Sequence, residues 1–201
     1  MPGRVVLVAG PSGSGKSRLG AQLGARLGVT VLQLDDFYRD GETPGLPHAH
    51  GIVDWDDPRS WDHEAAVAAL LQLCRAGSTT VPRYDLAASR AVGRRQVRLG
   101  AVPVVLAEGI FAAEVIDPLR SAGILADAIA LTHGPWVNFV RRLARDLRQG
   151  RKAPLTLLRR GWALRRGEPA ILDRQVRLGA FPCSPTRARR RIEALVSRMS
   201  G

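Results

Sequence analysis

Residues 10–17 read Gly10-Pro11-Ser12-Gly13-Ser14-Gly15-Lys16-Ser17, and this octapeptide decides the fold. It satisfies G-x-x-x-x-G-K-[ST] at every fixed position. Before it, Arg4-Val-Val-Leu-Val-Ala9 is a short apolar run, the pattern of a strand buried on both faces of a parallel sheet. After it, Leu19, Leu23 and Leu27 recur at helical spacing up to Gly28, so a helix opens at the motif and closes at that glycine. Glycines let successive N–H groups turn inward, and the helix N-terminus adds its positive dipole. A phosphate cradle follows, built from Gly10, Ser12, Gly13, Ser14, Gly15, Lys16 and Ser17, with Lys16 reaching the β- and γ-phosphates and Ser17 holding magnesium. The plainer alternative, a Gly/Ser-rich turn that merely joins strand to helix, is disfavoured because the strand and helix context matches on both sides.

Working outward, Thr30 to Leu34, Val102 to Ala107 and Ala126 to Leu131 are further apolar strands. Helical patterns lie between or beyond them, at about Ala112 to Ser121 and Pro135 to Arg148. Such alternation predicts a three-layer α/β/α P-loop NTPase fold with a mostly parallel five-stranded sheet. Asp57-Pro58 reads as a helix start running to about Arg75, with Gly77 as the stop. Thr79 to Tyr84 and Arg95 to Leu99 flank a polar turn and predict a small hairpin. Asp36 to Trp61 is a long polar connection rich in Gly, Pro, His and Asp, a kind that is usually functional. Past Lys152 an Arg-rich stretch of helices is broken at Pro169, Pro182 and Pro185. Arg95-Gln-Val-Arg-Leu-Gly-Ala101 recurs letter for letter as Arg174 to Ala180 without matching flanks, so it is no repeat architecture.

At 201 residues the chain suits one domain spanning 1–201, and with aromatic residues at 5% the core must come from Val, Leu, Ala and Ile. No apolar run approaches the roughly 20 residues of a membrane span. No charged and apolar leader precedes the motif, and a cytoplasmic location is expected. Cys74 and Cys183 stand alone, which excludes a disulfide framework or a zinc site. The net charge of +12 is concentrated: residues 139–201 carry 17 Lys plus Arg against 4 Asp plus Glu, while the first 138 residues are nearly balanced. An anionic small substrate, nucleic acid and a simple solvated surface all fit that bias.

Phosphate chemistry needs more than a cradle. Val104-Val-Leu-Ala-Glu108 is an apolar strand with an acid at its C-terminal end, where a second magnesium-directed group is needed. Asp35 and Asp36 end the second strand likewise. One of them can accept the proton of an attacking hydroxyl; capping or turn formation is the alternative. Arg142 and Arg145 share a helix face and offer cations to a transferring phosphoryl group.

In order along residues 4–152 stand the octapeptide, Leu34-Asp35-Asp36-Phe37-Tyr38-Arg39, Trp55-Asp56-Asp57-Pro58, Pro82-Arg83-Tyr84-Asp85, Ala107-Glu108-Gly109-Ile110 and Arg141-Arg142-Leu-Ala-Arg145-Asp146. This set resembles the uridine kinase and phosphoribulokinase group of P-loop kinases, and uridine kinases most of all. The resemblance implies ATP as donor, Mg2+ as cofactor, and the 5′-hydroxyl of a uridine- or cytidine-like nucleoside as acceptor. It implies Asp35 as catalytic base and Glu108 as magnesium helper. Tyr38, Asp56 and Tyr84 would line the acceptor pocket, with Asp56 on ribose hydroxyls. Residues 36–61 and 79–99 would be acceptor-binding insertions. An Arg-rich lid at 141–155 would bring Arg142, Arg145 and Arg151 to the phosphates, and 156–201 would form a basic helical region.

Three departures keep the acceptor open. No histidine follows Tyr84 in Asp85-Leu-Ala-Ala-Ser89-Arg90; Asp57 replaces the usual histidine before Pro58; the lid ends Arg148-Gln-Gly-Arg151, one residue short. His48 or His50 can substitute for the missing base reader. Another alcohol (a sugar, a vitamin precursor or an antibiotic) is the nearer alternative, and a nucleic-acid-associated NTPase the more distant one. The scarcity of aromatics argues against nucleic acid as partner. The oligomeric state stays open, a homo-oligomer included.

Overall fold

The computed structural model describes residues 2–49, 51–132 and 169–200. His50, the helix expected at 135–148 and the lid with Arg142, Arg145 and Arg151 lie outside the described residues.

Strand β1 (Arg4–Ala9) is an almost fully buried β-branched run, and β7 (Val104–Glu108) is buried along its whole length. With β2 (Thr30–Gln33), β8 (Leu125–Leu131) and β9 (Phe181–Cys183) they form a sheet in the order β2-β7-β1-β8-β9. Every pairing in it is parallel. Alternate residues feed opposite layers, as the period of a strand requires. Val6, Val8, Leu106 and Ile129 join Leu19 and Leu23 of α1 (Lys16–Leu27) and Ile192 and Val196 of the last helix, Pro185–Ser200. Val5, Leu7, Val105 and Ala107 join Leu70 and Leu73 of α2 (His63–Ala76) and Leu119 of α3 (Ile116–Ser121). Ile171 and Leu172, from a helix over 169–177, pack against that second cluster. The three-layer α/β/α arrangement is the one the alternating pattern predicts. No helix among the described residues is long and apolar enough to cross a membrane.

The hairpin is present and longer than the sequence pattern indicates: β5 (Ser78–Asp85) pairs antiparallel with β6 (Arg90–Arg98). A second, two-residue ladder joins β3 (His48–Ala49) to β4 (Ile52–Val53) inside the long polar connection.

Three local readings change. Asp57-Pro58 opens only a 3-10 turn, Pro58–Ser60, with the Asp57 carboxylate accepting from Arg59 N–H. α2 starts five residues later, capped by Asp62 accepting from Ala65 N–H at 3.0 Å. The helix expected at Ala112 begins as a 3-10 turn, Ala112–Val115. Pro182, read as a break, lies inside β9, an edge strand whose outer side needs no ladder hydrogen bond.

Candidate active site

The order β2-β7-β1 brings three strand ends together, because β7 inserts between β1 and β2. Val8 and Gln33 both stand in register with Glu108. Neighbouring strands lie about 4.8 Å apart, so whatever follows Ala9, Gln33 and Ala107 meets within roughly 10 Å. Those followers are the Gly10–Ser17 loop, Asp35 and Glu108.

The loop turns at Gly10, Gly13 and Gly15, all with positive φ. At Gly10 a side chain is excluded twice over: φ is 151° and a Cβ would sit 2.7 Å from Ser14 Oγ. Gly15 caps α1 without a side chain, and no acid stands in the first turn, so the helix N-terminus keeps its positive character toward the loop. Lys16 is buried (6% exposed), and its Nζ donates to the Gly10 and Pro11 carbonyls at 2.9 and 3.2 Å.

Glu108 is 2% exposed. Burial pushes its carboxyl above the ordinary range; the Lys16 ammonium and a hydrogen bond from Ser17 pull the other way, and the Asp35 charge adds to the rise. Its Oε2 has no partner among the described residues. A buried carboxylate oxygen without a partner, beside a serine hydroxyl, fits an oxygen-coordinated divalent cation such as Mg2+.

The two aspartates separate cleanly. Asp36 is 8% exposed and accepts from Tyr84 N–H at 3.2 Å and from Arg95 Nη2 at 3.1 Å. A register shift between Pro82 and Tyr84 frees that N–H from the hairpin ladder. Asp35 turns the other way. Its Oδ1 accepts from Ile110 N–H at 3.2 Å, and a Cβ on Gly109 would stand 2.9 Å from the same oxygen. Only glycine allows β7 to leave the sheet so close to that carboxylate.

Beside Asp35 stands an aromatic wall. The Tyr38 ring meets Trp55, Tyr84 and Phe111 at centroid distances of 5.5, 5.7 and 5.9 Å. Tyr38 Oη donates to the Trp55 carbonyl at 3.0 Å, and Tyr84 Oη to the Arg39 carbonyl at 3.0 Å. Burial raises the Tyr38 phenol well above its ordinary value, with the Asp35 and then Asp56 charges adding to it. Burial, with Asp40 adding, pushes Tyr84 up to about 12. Both rings therefore stay neutral donors. Trp61 anchors the turn that carries both aspartates by donating its indole N–H to the Leu34 carbonyl at 2.7 Å.

Of the residues singled out in the sequence, Lys16, Ser17, Glu108 and Asp35 converge, and Tyr38 and Tyr84 flank them. Asp56 lies exposed at the wall's edge, near Tyr38. His48 is exposed, its Nδ1 2.8 Å from the Leu46 carbonyl. The sequence reading missed Trp55 and Phe111 as wall residues and Arg95 as the partner of Asp36. Phe111 had a visible cue, following Glu108-Gly109-Ile110 directly.

A family model described as "Phosphoribulokinase / Uridine kinase family" matches residues 5–153. A "Uridine kinase" of Chloroflexus aurantiacus is 30% identical over 149 residues, covering 71% of this chain and 68% of that protein. "Inorganic pyrophosphatase TTM2" of Arabidopsis thaliana is 31% identical over 154 residues, 75% of this chain. The match spans about a fifth (21%) of that plant protein's length. Among solved structures, a "putative fructose transport system kinase" from Silicibacter sp. TM1040 superposes with a TM-score of 0.64 at 22% identity. That superposition covers 92% of this chain and 89% of the other, a likeness of fold.

Proposed function

This chain belongs to the phosphoribulokinase / uridine kinase family, and on that premise we propose that it transfers the γ-phosphoryl group of ATP to the hydroxyl of a small molecule. The first candidate acceptor is the 5′-hydroxyl of a pyrimidine nucleoside. The observation that carries the reading is that Asp35 lies near Glu108, which Lys16 also approaches, and near Tyr38, the ring at the centre of the aromatic cluster.

In this reading the Gly10–Ser17 backbone amides and Lys16 hold the triphosphate and its developing charge. Asp35 accepts the acceptor's hydroxyl proton as that oxygen bonds to the γ-phosphorus and the bond to the ADP oxygen breaks. The Ile110 N–H orients the carboxylate for that step. Ser17 and Glu108 would hold Mg2+, which when bound supplies positive charge at the β- and γ-phosphate oxygens. The rings give the acceptor an apolar face, with Asp56 at its edge for sugar hydroxyls. Arg142, Arg145 and Arg151 are proposed as the lid's phosphate contacts. A cytoplasmic location and a single kinase domain go with this reading.

Asp35→Asn tests it: phosphoryl transfer should fall by at least about 10³-fold while ATP affinity stays within about twofold. Transfer near the wild-type rate would sink the base assignment.

One observation favours a different acceptor. Asp85–Arg90 form the hairpin turn, where Asp85 accepts from Ala87 and Ala88 N–H, so that segment turns on itself and carries no histidine to read a base. Turnover across a panel of nucleosides, sugars and other alcohols separates the two. ATP hydrolysis stimulated by RNA or DNA, with no alcohol phosphorylated, would overturn both.

A further inference from the structure

The helix over 169–177 is phased by Ile171, Leu172 and Leu178, all packed against the main core cluster. Between them, on the same face, stands a glutamine. Gln175 is 2% exposed, and its Nε2 donates to the Ile110 carbonyl at 2.8 Å. A carboxamide at a core-facing position is destabilising where its polar atoms lack partners, and here Oε1 has none among the described residues; a leucine or methionine would fill the space without that cost. What the glutamine gains is Ile110, the residue whose N–H meets Asp35 Oδ1 at 3.2 Å.

The segment Gly109–Phe111 has no regular structure of its own to hold it. It is pinned at its start, where Gly109 N–H donates to the Val8 carbonyl at 3.2 Å. At its far end the Phe111 carbonyl accepts from Glu114 N–H at 2.9 Å, and the Glu114 carboxylate in turn pairs with Arg174, from the same helix as Gln175, at 2.8 Å. In the middle, on its carbonyl side, the Ile110 hold is Gln175. The Ile110 carbonyl and N–H lie on adjacent peptide planes joined at one Cα, so a displacement of the Ile110 backbone that broke this bond would also shift the N–H from Asp35, beside which Gly109 packs so closely that a Cβ there would stand 2.9 Å from Oδ1.

We propose that Gln175 is a positioning residue for phosphoryl transfer, holding Ile110 so that its N–H fixes the Asp35 carboxylate toward the acceptor hydroxyl. The inference rests on the reading of Asp35 as base. It makes the orientation of a group at the end of β2 depend on a helix far along the chain, on the opposite side of the Gly109–Phe111 segment.

The test is a cycle on the full chain: wild type, Gln175→Leu, Asp35→Glu and the double variant, with ATP and the best acceptor of the panel. Gln175→Leu should lower kcat by about tenfold or more while the KM for ATP and ATP affinity stay within about twofold. In the Asp35→Glu background, where the lengthened carboxylate no longer sits on the Ile110 N–H, the same change should alter kcat by less than about twofold. Wild-type kcat in Gln175→Leu overturns the proposal, as does an equal loss in both backgrounds, which would mark a merely structural role. If Gln175→Leu does not fold, Gln175→Asn, which keeps the carboxamide but falls short of the carbonyl, is judged by the same two criteria. Failure of the base reading shows separately, as Asp35→Asn retaining transfer.

Discussion

The seven residues Arg-Gln-Val-Arg-Leu-Gly-Ala occur at 95–101 and at 174–180, and the two copies take opposite structures. The first copy ends strand β6, with Arg95, Gln96 and Val97 paired to Val81, Thr80 and Thr79. The second ends the helix over 169–177. Burial inverts with it. Val97 is 7% exposed while Gln96 faces solvent, and Gln175 is buried while Val176 is 40% exposed. The letters carry no preference strong enough to choose. The choice comes from neighbours: the Asp85–Ser89 turn puts the first copy in a period-two ladder, and Ile171 and Leu172 put the second in a 3.6-residue phase. The leucines keep one role, since Leu99 and Leu178 both pack against the same core cluster, and the leading arginines each pair with an acid. A segment of this kind is assigned by the surface it must present, and intrinsic propensity is overridden.

That contrast can be broken most visibly at the valines. Val97→Gln buries an unpartnered carboxamide where a packed side chain stood, and unfolding should become easier by about 3 kcal/mol. Val176→Gln should stay within about 0.5 kcal/mol of wild type. Denaturant unfolding of the two variants side by side decides it, and equal losses would refute the inversion. The leading arginines sharpen it next. Arg95→Ala leaves the Asp36 carboxylate with Tyr84 N–H as its one hydrogen-bond donor among the described residues, which should cost about 1–2 kcal/mol and raise the acceptor KM. Arg174→Ala breaks a more open pair and should cost under about 1 kcal/mol with that KM unchanged. Thermal unfolding and steady-state kinetics read both. The smallest effect is expected at Gln96→Val, within about 0.5 kcal/mol in thermal unfolding, because that side chain has solvent on its side of the hairpin.

The same distinction explains what was legible. The glycine-rich loop is contiguous, and its strand and helix announce themselves locally, so fold class could be read from residues 4–28. β7 and β8 were visible as apolar runs. β9 was not: three residues with a proline at the centre are a strand only because β8, some fifty positions earlier, offers an edge. Asp57 and Asp62 are both good caps by type, and Trp61 separates their roles by filling the core between them. The division of labour between Asp35 and Asp36 was equally closed to inspection. It is made by Tyr84 and Arg95, 48 and 59 residues away. Gln175 gave no cue at all, being one polar letter in an Arg-rich stretch whose significance is the carbonyl it faces.

The attachment of Asp36 to the hairpin has a further consequence for how acceptor choice can change. Asp35 and Asp36 share one turn, so the hairpin's frame and the proposed base are mechanically a single part. On the proposed reading, altering Arg95 or the bulge before Tyr84 would retune the chemistry together with the acceptor pocket. The ring faces of Tyr38, Trp55 and Tyr84 are different: they are appended to the frame and carry none of its ties to Asp36 by their rings. If they line the acceptor pocket as proposed, substrate range can drift there, one ring at a time, with the machinery behind it left in register.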